Sequence, residues 1–149
     1  MRAILILFAT LLLSLTGTVR AESPDISLWE HNGSIVAAHK NGEEIVIWYQ
    51  NPSDEMRTMG VHAGLVLFDG KEGKTSPFFG PGLEGIVNTF SRKCNPVSYK
   101  VTGWVDVVDH QVHTITLEGT APIVGEGCIP TFDSVGSNVR LVFHFIRFE

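Results

Sequence analysis

The 149-residue chain is poor in the features that announce chemistry. It has only 2 Cys, 3 Trp and 2 Tyr, and charged residues make up 18% of it. Two cysteines are too few for a disulfide-framework mini-domain or a four-cysteine zinc module. Basic residues are also scarce, 11 Lys+Arg against 16 Asp+Glu for a net of −5. A nucleic-acid binder drawn by phosphate charge is therefore not expected, and the acidity disfavours the surface of anionic lipid. No GxSxG elbow, SxxK or HExxH is present, and no P-loop. Gly80-Pro81-Gly82 and Gly125-Glu126-Gly127 lack the Lys-Ser/Thr that a phosphate cradle needs. No cofactor motif emerges, and no segment sustains a helical period.

What is present begins with a leader. Met1-Arg2 is a short positive start, and Ala3–Leu15 is a run of 13 uncharged, mostly apolar residues. Val19-Arg20-Ala21 then supplies the −3 and −1 positions of a cut before Glu22. This is the layout of a secretory signal peptide, and the apolar run falls short of the roughly 20 residues of a membrane span. The expected organisation is residues 1–21 as signal peptide and 22–149 as one domain, periplasmic or secreted. Cleavage removes Arg2 and Arg20 and no acid, so the net charge of −5 becomes −7. The acids, among them Glu43-Glu44, Asp54-Glu55, Asp106 and Asp109, are scattered and form no block.

Cys94 and Cys128 both lie in the exported part, 34 residues apart, with no CxxC partner or adjacent His. In an oxidising compartment such an even pair reads as a disulfide.

The remainder is short apolar runs between turn residues. Ile26–His31, Ile35–His39 and Glu44–Gln50 are separated by Asn32-Gly33-Ser34 and Asn41-Gly42. Asn-Gly between apolar runs is a hairpin signal that asks for positive φ at both central residues. His62–Phe68 reads as the next strand, with a turn at Asp69-Gly70 and Gly73. Leu83–Arg92, Val97–Val108, Val112–Glu118 and Asn138–Phe148 complete the set. One helical turn is expected near Met56–His62, while Ser76–Gly82 and Ala121–Ser137 read as irregular. The fold class is all-β: a single small antiparallel β-barrel or sandwich of about eight or nine strands. The barrel is preferred because successive hairpins build a meander.

Candidate sites are of two kinds. Trp29, His31, Trp48 and Trp104 could line a ligand groove, although aromatic residues in a small β-fold commonly pack the core. Trp104 sits on the polar side of its strand, opposite Val101 and Val105, and so calls for either a covering layer or a bound partner. Asp109, His110 and His113 offer nitrogen and oxygen ligands for a metal, with an exposed polar turn as the plainer reading. A hydrolase site could draw on His31, His62 and Asp109.

The hexapeptide Trp29-Glu30-His31-Asn32-Gly33-Ser34 stands with two further motifs. These are the run GLVLFDG at residues 64–70, and Cys94-Asn95-Pro96 followed by Tyr99-Lys100-Val101-Thr102-Gly103. Together they resemble small exported proteins common in rhizobia and related alpha-proteobacteria. Glu84–Arg92 departs from that pattern. The resemblance implies a Gram-negative periplasmic or secreted protein and carries over no catalytic residue. The function expected is a non-enzymatic β-domain that binds an unidentified protein or small ligand. One form is an inhibitor of a cationic host factor such as lysozyme; the alternatives are the dispersed-residue hydrolase and a metal-binding envelope protein.

Overall fold

The computed structural model describes residues 25–74, 80–131 and 137–149. The expected signal peptide and most of the Ser76–Gly82 segment lie outside the described residues. In chain order the elements are β1 (Asp25–His31), β2 (Ser34–Asn41), β3 (Glu44–Asn51), α1 (Asp54–Thr58), β4 (Val66–Glu72), β5 (Gly82–Thr89) and β6 (Val97–Val108). Then follow β7 (Gln111–Thr120), β8 (Ile123–Val124), β9 (Pro130–Thr131) and β10 (Asn138–Phe148). Eight of them close into an antiparallel up-and-down barrel in the order β1-β2-β3-β4-β5-β6-β7-β10, with β10 returning to β1. The two-residue strands β8 and β9 form a separate ladder within the β7–β10 connection. The closed meander decides between barrel and sandwich.

Period two explains the closure. Ile45, Ile47 and Tyr49 on β3, Tyr99 and Val101 on β6, Ile115 and Leu117 on β7 and Phe143 on β10 share one cluster. Each is nearly or wholly removed from water. Burial of side chains of this size stabilises by about 1.5–3 kcal/mol apiece. Phe68, Phe143, Ile47 and Leu117 fill the axis, so the barrel encloses a core and not a cup. Among the described residues no helix is long and apolar enough to cross a membrane.

The two rims differ. One carries the Asn32-Gly33 turn, the 52–65 connection with α1, the 90–96 loop and the long β7–β10 connection. Here Cys94 and Cys128 are joined, with Cα atoms 5.3 Å apart, so two of these loops are clasped together. The opposite rim carries the tight turns at Gly42-Glu43 and Asp109-His110.

Several local expectations are corrected. Asn32 and Gly33 both have positive φ (49° and 75°), as the hairpin signal requires, but at the second turn the central pair is Gly42-Glu43 and only Gly42 is positive. The helical turn comes earlier, over Asp54–Thr58, because Ser53 caps it by accepting from the Met56 amide at 3.3 Å. β4 starts at Val66 and not at His62, because residues 52–65 are needed to bring α1 back across the rim.

Asp69-Gly70 is not a turn. It lies inside β4, where Gly70 pairs with Gly85 of β5. A Cβ on Gly85 would meet Asp69 O at 2.5 Å, Gly70 Cα at 2.6 Å and Phe68 Cε2 at 2.7 Å. Glycine here lets two strands bend together over the Phe68 ring, a close approach and not a reversal of the chain.

Two outcomes are expected. Gly85→Ala is destabilised by about 1–3 kcal/mol, the cost of overpacking a filled site, measured by urea unfolding. Replacing both cysteines with Ala lowers stability by about 3–4 kcal/mol in the chain-entropy model, with the barrel's β-type circular dichroism retained below the transition.

Candidate functional site: an outer groove

The side chains singled out in the sequence divide into core, turn and surface. Trp29 is core. Its indole Nε1 donates to Ser27 Oγ at 2.8 Å and its ring meets Phe145 edge-on, centroids 5.3 Å apart. His31 is also buried, stacked on Phe143 with centroids 4.5 Å apart. Its Nδ1–H donates to the Val142 carbonyl at 2.8 Å, which leaves Nε2 to accept from the Asn32 amide at 3.4 Å. One neutral tautomer satisfies both bonds. Burial holds the imidazole below its usual value, outweighing the Val142 carbonyl and the Glu30 charge, which favour the cation. Ser34 completes the motif: buried, its Oγ accepts from the Ser53 amide at 2.9 Å and so anchors the 52–65 connection. Trp29-Glu30-His31-Asn32-Gly33-Ser34 is thus a rim-building motif.

Asp109 and His110 are the two central residues of the β6–β7 turn, with φ of 51° and 63°, and His113 is exposed beyond it. Among the described residues no three His, Cys, Asp or Glu side chains converge to hold a metal. Strand direction puts His31 and Asp109 on opposite rims, so the dispersed hydrolase constellation does not assemble. His62 is exposed, its Nδ1 donating to the Ala63 carbonyl at 2.9 Å. Burial pushes the Tyr49 phenol up to about 12 and raises Tyr99 as well, which leaves neither as a proton donor of use near neutrality.

Trp48 and Trp104 face outward. Trp48 is in register with Ala37, and Ala37 with Leu28. Leu28 and Ala37 are buried yet stand apart from the central cluster, an apolar strip on the outer wall. Trp104 is half-buried, with the Arg140 guanidinium 5.9 Å from its ring centroid. A cation thus lies over part of its ring.

The concavity lies elsewhere on the outer wall. A groove of about 1040 Å³ crosses β3 to β7, and a second of about 410 Å³ adjoins it across β10, sharing Glu118, Gly119 and Thr120. Register explains its form. Ile45, Gly70, Gly85, Val101, Gly119 and Val139 are successive cross-strand partners. They face the core, so only their backbone floors the groove. One wall is the outward row Glu44, Lys71, Glu84, Thr102, Glu118 and Arg140, again partner to partner around the barrel. The other wall contains Asp69, Ile86 and Lys100 in register. Six strands at about 4.8 Å spacing give a length of roughly 24 Å.

The walls carry mixed charge. Lys71 and Glu84 are 3.1 Å apart, and Arg140 and Glu118 3.6 Å. All four side chains are about half exposed or more, so each pair contributes roughly 0–1 kcal/mol and exchanges readily for other charges. Glu44, Asp69 and Lys100 make no ion pair among the described residues. Ile86 is 46% exposed in the wall between Asp69 and Lys100.

None of these wall residues stood out in the sequence, where the acids look scattered. The strands' polar alternation was visible, but its cross-strand alignment is set by register. No family model matches this chain, and no curated protein or solved structure does.

His31 gives a pH dependence. Its folded pKa lies below the ordinary 6.5, so between those values the unfolded chain binds more protons. The contribution is complete above pH 6.5 and is lost as the pH falls toward the folded value. Urea midpoints should therefore decline below pH 6.5, with a shallower decline in His31→Phe.

Proposed function

We propose that this chain is an exported, non-catalytic binding module whose outer groove takes a protein partner with a basic surface. The groove carries the reading: it is a long open channel, while the barrel interior is filled. Small-molecule sites are concave and enclosed. Here the channel is open and its walls bear four carboxylates, Glu44, Asp69, Glu84 and Glu118, against Lys71, Lys100 and Arg140. A macromolecular surface fits that geometry better than a small ligand.

Further support comes from chemistry that the side chains do not offer. Among the described residues the one buried imidazole is neutral and committed at both nitrogens, and the buried phenols are pushed upward. The Cys94–Cys128 bond and the leader-like residues 1–21 favour an oxidising compartment, as does the resemblance to small exported alpha-proteobacterial proteins. A cationic wall-degrading enzyme of the lysozyme type is the specific partner form of this reading.

Calorimetric titration of the disulfide-bonded protein with lysozyme tests it. The expected result is a complex that survives physiological salt and weakens about tenfold or more in Glu84→Lys/Glu118→Lys, since like charges replace attraction along the wall. Absence of a complex at low salt removes lysozyme as the partner.

A further inference from the structure

The groove has a direction. Lys71 with Glu84 and Arg140 with Glu118 neutralise one another locally. The charges that remain unpaired among the described residues are separated: Glu44 and Asp69 on β3 and β4, Lys100 on β6. Asp69, Ile86 and Lys100 are directly opposed partners on three adjacent strands, all outward and exposed. Directly opposed residues have Cβ atoms about 5 Å apart, so Asp69 and Lys100 are rooted about 10 Å from each other with an apolar side chain midway. The unpaired charge of the channel is thus acidic on β3 and β4 and basic on β6, and its floor is backbone.

Resting on the binding-module reading, we propose that the groove docks one extended segment of a partner protein laid across the strands. That segment carries a Lys or Arg side chain for Asp69 and Glu44, an apolar residue for Ile86, and an Asp or Glu side chain for Lys100. Three considerations support the fit. Roughly 24 Å of channel accommodates about seven extended residues. A 10 Å separation matches positions two or three apart in an extended chain once long side chains reach outward. A closed barrel leaves no sheet edge for strand addition, so recognition falls to side chains on the outer wall. Lys100 then acts as a filter. It sets a wholly basic segment against a like charge, so the protein selects a mixed-charge sequence over any polycation.

The test uses acetylated and amidated peptides of about seven residues, alike except at two positions flanking a Leu. One carries Lys and Glu, one Lys and Lys, and two controls replace either charge of the first by Gln. Titration of the intact protein at low salt should show the Lys/Glu peptide binding more tightly than the Lys/Lys peptide. Asp69→Asn should weaken the Lys/Glu peptide about fivefold to tenfold and leave the control lacking Lys unchanged. Lys100→Gln should do the same for the Glu position and should improve the Lys/Lys peptide. Both side chains are exposed, and unchanged thermal midpoints verify the fold.

Equal binding of the Lys/Glu and Lys/Lys peptides, unaltered by Lys100→Gln, overturns the polarity while leaving an acidic binding groove standing. Self-association in sedimentation that Asp69→Asn dissolves assigns the face to a second copy of this chain and overturns the peptide proposal. If no peptide binds but lysozyme does, the proposal fails while the binding-module reading survives.

Discussion

Closure of the β1–β10 seam governs the rest of this molecule. Once β10 pairs with β1, every barrel strand has two neighbours, and the ladder leaves no edge to template association. Closure also divides each strand's alternate residues into a sealed interior and an exposed wall. Phe68, Phe143, Ile47 and Leu117 occupy the inside to the exclusion of water. Aromatic residues that fall on the inner face, such as Trp29, accordingly serve packing.

The groove follows from how the sheet bends to close. At the Gly70–Gly85 pair two strands approach too closely for any side chain, and the Phe68 ring occupies the space inside. Outside, the same row offers only backbone between two lines of side chains. Glycine weakens a strand locally, and here a filled core offsets that cost. The wall charges pair weakly because they are hydrated. A surface of this kind contributes little to folding.

The rim holding α1 is built on polar contacts instead. Ser34, His31 and Asn32 convert a two-residue turn into a hub that fixes the neighbouring connection through Ser53, while the disulfide clasps the loops across from it. A neutral buried imidazole suits this role, because it donates and accepts at once without the cost of burying a charge. The same choice leaves the rim sensitive to acid.

Much of the architecture was legible beforehand, for a local reason. Val97–Val108 and Asn138–Phe148 alternate so regularly that their bounds are those of β6 and β10, and Asn32-Gly33 has the dihedral demands of its turn written in its residue types. The pairing of Cys94 with Cys128 follows from there being only two. Asp69-Gly70 misleads because a glycine that permits a turn and one that permits strands to touch are the same residue; only the neighbour, Gly85, tells them apart. His31 and Asp109 likewise carry no mark of being on opposite rims. Side-chain alternation is a property of one strand, so the sequence alone settled the β character, the inward faces and the clasp. Alignment across strands depends on where each pairing begins, and the tertiary structure alone brought Glu44, Lys71, Glu84, Glu118 and Arg140 into one row and set Asp69 and Lys100 on either side of Ile86.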